Sequence, residues 1–252
     1  MIASEPRTSF TYDHYRHIIR SAQESGYEFI SFPGVNDYRN TERRICLLRH
    51  DCDNDLVAAA ALARIEAEIG VRSTYFLMLR SAMYNLLSLP NRELAREIVG
   101  RGHWVGLHFD ERAYPNSKLE QISDQVDKER ALLSNEVNAP VDVVSFHQPS
   151  KRVLENELKL NCLNTYDRQD MEGIYYISDS NTVLKEGCPS RAFAAGTYMK
   201  LQLLLHPEWW TEEEIPLEAK WNEMLRHNFE LMQQSLLSRE GAYLQRQEIK
   251  FG

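Results

Sequence analysis

Cysteine is scarce in this chain. Its four residues, Cys46, Cys52, Cys162 and Cys188, show no CxxC spacing, which excludes a disulfide-framed scaffold and a zinc knuckle. They read as reduced thiols in a reducing compartment. No run approaches the ~18 apolar residues of a membrane-spanning helix. Met1 to Arg7 lacks the apolar region of a signal peptide, so the expectation is a soluble cytoplasmic protein with no membrane span. Positive charge is not in excess either. A net charge of −8, with basic residues scattered apart from Arg43-Arg44 and the last ten residues, argues against a nucleic-acid binder and gives no hint of anionic membranes. Internal repeats, low-complexity stretches and inter-domain linkers are absent, which leaves a single domain over residues 1–252. What remains is ordinary for a globular protein: 43% hydrophobic and 26% charged residues allow a core of useful size.

Hydrophobic periodicity divides the chain into alternating elements. Residues 11–25 read as a helix stopped by Gly26, with Tyr12, Tyr15, Ile18, Ile19 and Ala22 as its apolar stripe. A short extended piece, 27–32, leads through a polar loop to an apolar run ending at Asp51-Cys52-Asp53. Residues 55–69 form an Ala-rich helix closed by Gly70, and 73–79 a buried strand. A helix over 91–99, with Asn91 as its cap, precedes strand 104–107, which ends in His108-Phe109-Asp110. A long polar helix, about 118–135, leads to strand 141–146 and His147, followed by a helix over 151–159. Strand 174–177 ends in Ser178-Asp179-Ser180, and strand 201–205 in His206-Pro207. A C-terminal helix, roughly 211–238, carries a polar tail. Strands alternating with helices, joined by connections long enough for crossovers, predict an α/β domain with a largely parallel sheet.

Five strand ends therefore carry polar clusters: Asp51/Asp53, His108/Asp110, His147, Asp179 and His206. In a parallel barrel all strand C-termini open on one face, so these side chains can converge on one mouth. The side-chain period of two puts Asp51 and Asp53 on the same side of their strand, with His50 and Cys52 facing away. Two carboxylates so placed can divide the holding of a metal from the moving of a proton. They can also serve as a capping cluster for the helix that follows. The same alternation turns His103 away from His108, and His227 falls inside the last helix, on its surface or in its packing.

Taken in order, Leu48-Arg49-His50-Asp51-Cys52-Asp53, Thr74-Tyr75-Phe76, Gly102-His103-Trp104-Val105-Gly106-Leu107-His108-Phe109-Asp110, Ser145-Phe146-His147-Gln148-Pro149, Ile177-Ser178-Asp179-Ser180 and Leu203-Leu204-Leu205-His206-Pro207 resemble the polysaccharide deacetylase (NodB-homology) family, over roughly residues 45–210. The likeness is strongest to the branch found among bacterial surface-polysaccharide biosynthesis proteins. The resemblance implies a distorted (β/α)7-type barrel and one divalent metal, usually zinc. Carried over residue by residue, Asp51 would be the general base, Asp53 and His108 metal ligands, and His206 the general acid. The implied activity is removal of an N-acetyl group from a sugar in surface-polysaccharide synthesis. Its substrate would be a carbohydrate, nucleotide- or lipid-linked. Hydrolysis of another amide or a formamide, or an inactive barrel that binds a glycan or a partner, are the alternatives.

The sequence departs from the family where a further histidine is expected four residues after His108: Arg112 stands there. His147 is the preferred third ligand, and Asp110, two residues past His108, the alternative. Asp179 is expected to contact a sugar hydroxyl, to tune His206 or to cap a turn. Arg112 suits a carboxylate or phosphate on the substrate. Trp209 and Trp210 can stack on a sugar ring or cover the barrel mouth.

Overall fold

The computed structural model describes residues 9–239. Helix α1 (Tyr12–Glu24) is capped by Thr11, whose hydroxyl accepts the backbone N–H of His14, and it buries Tyr15, Ile18, Ile19 and Ala22. After the short β1 (Glu28–Phe29), β2 (Ile45–Cys52) is buried along its whole length. Helix α2 (Leu56–Glu68) begins at Asp55, whose side chain accepts the backbone N–H groups of Val57 and Ala58. There follow β3 (Thr74–Leu77), α3 (Leu89–Gly100), β4 (Trp104–Phe109), α4 (Leu119–Val137) and β5 (Val143–Phe146). The C-terminal half adds α5 (Lys151–Leu154), β6 (Leu163–Asn164), β7 (Tyr175–Ser178), α6 (Pro189–Ala195), β8 (Lys200–Leu205) and α7 (Leu217–Arg239).

All strand pairs are parallel, in the order β6-β5-β4-β3-β2-β8-β7, with β1 paired to the start of β2. β6 and β7 end this path unpaired with each other, so the sheet is an open, distorted barrel with helices outside it, the architecture expected from the sequence. Alternation along β2 sorts its side chains. Ile45 and Leu47 pack inside with Phe32, Phe76 and Val143, while Cys46 and Leu48 join the α1 side chains outside. The last four residues of β2 lie beside β3, and His50 pairs with Leu205 of β8. This register puts Asp51 and His206 on neighbouring strand ends.

Several boundaries differ from expectation. Helix α3 starts at Leu89 with Ser88 as cap, because Pro90 fits a first turn; Asn91 is instead buried, donating to the Asn85 carbonyl at 3.0 Å. Helix α5 stops at Leu154, just before Asn156 turns left-handed at φ 63°. Helix α7 begins at Leu217, because Thr211 is engaged in a parallel bridge with Thr11. β6 and α6 have no separate signal in the sequence. The polar tail behind the last helix lies outside the described residues.

Candidate active site

Asp51 ends the interior row of β2, and Arg49 precedes it on the same side. The guanidinium, wholly buried, grips the carboxylate as a fork: Nε to Oδ1 at 2.8 Å and Nη2 to Oδ2 at 2.7 Å. Buried arginine needs every donor engaged. Thr165 accepts from Nη1 at 3.0 Å, Tyr166 from Nη2 at 3.3 Å, and Ser145 from Nη2 as well. The rings of Phe76 and Tyr166 lie 5.1 and 5.3 Å from the guanidinium carbon. Burial works against the charged form of Asp51, but Arg49 outweighs it and holds the carboxyl below its ordinary range.

Beyond it along the chain, Asp53 meets two imidazoles. Its Oδ1 lies 2.9 Å from His108 Nε2 and 3.1 Å from His147 Nδ1, and these ligand atoms all fall within 4.8 Å of one another. Burial raises the Asp53 carboxyl, yet the hydrogen bonds from His108 and His147 bring it well below the usual range. His108 reaches the point from β4, His147 from the end of β5, and Asp53 from beyond β2. Tetrahedral coordination with bonds of about 2.0–2.2 Å separates ligand atoms by roughly 3.3 Å, close to the two spacings from Asp53 Oδ1. The donor set of two nitrogens and one carboxylate oxygen suits zinc and related divalent cations. Asp53 and His147 each keep 15% side-chain exposure, so the point can be reached from solvent. His108 Nδ1 is buried without a hydrogen-bond partner among the described residues.

On the β8 side, His206 is held by Asp179. The carboxylate accepts from His206 Nδ1 at 2.6 Å, from the His206 backbone N–H, and from Trp210 Nε1 at 3.1 Å. Burial disfavours the imidazolium, but Asp179 overrides it and lifts the His206 pKa to about 10. With Nδ1 on Asp179, the imidazolium's other N–H, on Nε2, is the one left to donate. Asp179 is wholly buried with both oxygens engaged. Of the roles expected for Asp179, this geometry is the one that orients and tunes His206.

Arg112 forms a bidentate pair with Asp110, 2.9 Å at both contacts, and donates to Gln148 Oε1 at 3.0 Å. Asp110 is thereby turned onto Arg112, and the three side chains whose ligand atoms converge are Asp53, His108 and His147. The Arg112 side chain keeps 60% exposure beside this pair. Trp210 is buried with its indole N–H on Asp179, whereas Trp209 is half-buried with its ring 6.4 Å from the His206 ring. His50 and His103 lie on the outer side of the sheet, bound to the buried Glu66 at 2.8 and 3.4 Å. His227 pairs with Asp55 at 2.7 Å.

Two site residues are not evident from the sequence alone. Arg49 is legible there only as a motif letter, although a charge in an apolar strand, two residues from an aspartate, is the signature of such a pair. Glu208 is buried beside the site with Oε1 accepting from Asn54 and Oε2 unpartnered among the described residues. Burial, and then the negative charge of Asp53, push its pKa up to about 8.

No family model matches the chain. A curated relative from Haloferax volcanii, assigned by name only provisionally to the thiosulfate sulfurtransferases, is 25% identical over 137 residues, 51% of this chain and 46% of the relative. The chain thus spans under half of that relative's length. Among solved structures, similar chains include the Streptococcus pyogenes deacetylase PplD in complex with acetate, at 12% identity and a TM-score of 0.48, covering 75% of this chain and 86% of that one. A family 4 carbohydrate esterase from Streptomyces lividans, also with acetate, matches at 14% identity and 0.44, covering 76% and 89%. The carbohydrate-esterase domain of a multidomain xylanase from the hindgut metagenome of Trinervitermes trinervoides matches at 14% and 0.42, covering 77% and 84%. Likenesses at this level leave the chemistry to be read from the chain's own residues.

Proposed function

We propose that the protein is a metal-dependent hydrolase that removes an N-acetyl group from a sugar. The observation carrying this reading is the convergence of Asp53, His108 and His147 between an arginine-held carboxylate, Asp51, and a carboxylate-held imidazole, His206. A divalent cation bound by Asp53, His108 and His147 supplies Lewis-acid polarisation of the acyl oxygen and a more acidic water. Asp51, kept ionised by Arg49, accepts a proton from water as the water oxygen bonds to the acetyl carbon. Its Oδ2 lies 3.7 Å from His108 Nε2, beside the three converging side chains. His206, cationic near neutral pH, donates its Nε2 proton to the departing nitrogen as the C–N bond breaks. The products are acetate and a free amine, and the proton taken up by Asp51 balances the one lost from His206. Zinc is the cation favoured by the donor set. The likeness of the motifs to the branch found among surface-polysaccharide biosynthesis proteins motivates a role in that synthesis, with a nucleotide- or lipid-linked acetamido sugar as the substrate we infer.

The test is acetate release from such sugars by protein carrying one equivalent of zinc, beside Asp51→Asn and His206→Gln. Activity in the wild type, lost by at least a hundredfold in each variant with zinc retained, is expected. Zinc-loaded protein that releases no acetate from nucleotide- or lipid-linked acetamido sugars would overturn the substrate assignment.

A further inference from the structure

Helix α7 lies outside the sheet, yet the side it packs inward is unusually polar. Lys220 and Asn228 are only 5% and 8% exposed, and the adjacent His227 is half-buried. Burying such groups is costly unless they are bonded, so their partners are informative. Lys220 Nζ donates to the Trp209 carbonyl at 2.6 Å and to that of Phe10 at 3.4 Å. Asn228 Nδ2 donates to the Asn54 carbonyl at 2.9 Å. His227 Nδ1 lies 2.7 Å from Asp55 Oδ2, while the other Asp55 oxygen caps α2. One helix therefore grips both the turn that follows Asp53 and the turn that follows His206.

The sheet does not fix those turns against each other. The β2–β8 ladder ends at His50 and Leu205, one residue short of Asp51 and His206. Beyond it, a side-chain hydrogen bond joins the two turns, from Asn54 Nδ2 to Glu208 Oε1 at 2.8 Å. A helix is stiff along its axis, and Lys220 and Asn228 stand about 12 Å apart at 1.5 Å per residue.

We propose that α7 is a strut that sets the spacing of Asp53 against His206, with Lys220 positioning the β8 turn and His227 and Asn228 the β2 turn. The inference rests on the reading of Asp53 as a cation ligand and His206 as the acid. The three are positioning residues, acting through backbone carbonyls and the Asp55 carboxylate. Cutting either anchor lets the helix shift, so the loosening spreads to the turn that the altered residue does not touch.

Asn228→Ala, Lys220→Met, Lys220→Arg and Met224→Ala in the full chain supply the test. Met224 is buried on α7 but anchors neither turn by a hydrogen bond, so its truncation reports loss of packing alone. The readouts are Co2+ affinity by absorbance, melting temperature, and amide exchange at Val57, Ala58, Trp209 and Trp210. Asn228→Ala is expected to weaken Co2+ binding about tenfold and to speed exchange at Trp209 and Trp210 as well as at Val57 and Ala58. Lys220→Met should do the same from the other end, and Lys220→Arg should restore both readouts. Met224→Ala should lower the melting temperature and leave Co2+ affinity unchanged. Exchange accelerated only in the turn that each variant touches, or affinity that merely follows melting temperature, would overturn the strut. A wild type that takes up no Co2+ defeats the metal reading alone. The strut then stands on acceleration across the two turns and falls without it.

Discussion

Arg49 occupies an interior position in line with Ile45 and Leu47, where a hydrocarbon would be the cheaper choice. It is retained with every neighbour arranged around it: Asp51 as counter-ion, three hydroxyl acceptors, and two aromatic faces. Breaking a buried ion pair from one side leaves an uncompensated charge, which typically costs about 3–5 kcal/mol. Arg49→Met should therefore lower the urea unfolding free energy by that much and abolish hydrolysis, because Asp51 loses the cation that keeps it ionised. Arg49→Lys should recover little of either, since one ammonium cannot reproduce the fork and the ring contacts together. A loss below about 1 kcal/mol in Arg49→Met would show that the pair is not held as the distances indicate. Glu208 makes the opposite case, a carboxyl whose burial favours the neutral form. Its folded-state pKa, about 8, lies above the ordinary 4.5. The unfolded chain thus loses this proton first, and Glu208's contribution to stability is complete below pH 4.5 and disappears as pH rises towards 8. In chelator-treated protein, Glu208→Gln should gain melting temperature over wild type steadily between pH 5 and 8. A difference that stays flat with pH would mean that Glu208 is ionised throughout.

Within β4 a single glycine decides how closely the interior can pack. A Cβ at Gly106 would lie 2.6 Å from Phe76 Cδ1 and closer still to Cε1, and Phe76 in turn lies against the Arg49 guanidinium. Gly106→Ala should cost about 1–3 kcal/mol by overpacking, and the displaced ring should disturb Asp51, lowering activity together with stability. Gly100→Ala, in α3, is the control. Nothing lies within 4 Å of its added methyl, and alanine's better helix propensity predicts a gain of up to about 1 kcal/mol. Paired denaturant titrations separate the two. The sequence announces elements of this kind unevenly. β2, α2 and β4 are legible because their apolar periodicity is long and their ends carry Asp or Gly signals. β6, with two paired residues, and α6, with seven in a Ser/Ala/Gly-containing stretch, are too short to show a period. The length of α5 is hidden because its end depends on the left-handed backbone of Asn156, which polarity alone does not reveal.

At the scale of the whole molecule, the site is a product of strand order. The side-chain period of two is enough to put Asp51 and Asp53 on one face, and parallel strands put five polar ends on one mouth. The distances between those ends depend on which strands are neighbours. The β2–β8 adjacency sets His206 beside Asp51, and the chain returning through Thr165 and Tyr166 completes the Arg49 cage; neither relation has a local signal. The same topology gives the proposed cation a mechanical consequence, because its ligands hang on the ends of β2, β4 and β5 and would be tied together through it. A ligand that binds the folded chain alone stabilises it by about 2.7 kcal/mol at a hundred times its Kd. For a domain of this size, each kcal/mol moves the melting temperature by about 2–4 °C. Zinc added to chelator-stripped protein at that excess should therefore raise it by roughly 5–11 °C. Asp53→Ala, His108→Ala and His147→Ala should each remove most of the rise. Asp110→Ala should keep it, because Asp110 is committed to Arg112. Calorimetric scans with and without zinc read all four variants. A rise that survives His147→Ala but not Asp110→Ala would move the third ligand from the end of β5 to the β4 turn. It would also require the Asp110–Arg112 pair to open when the cation binds.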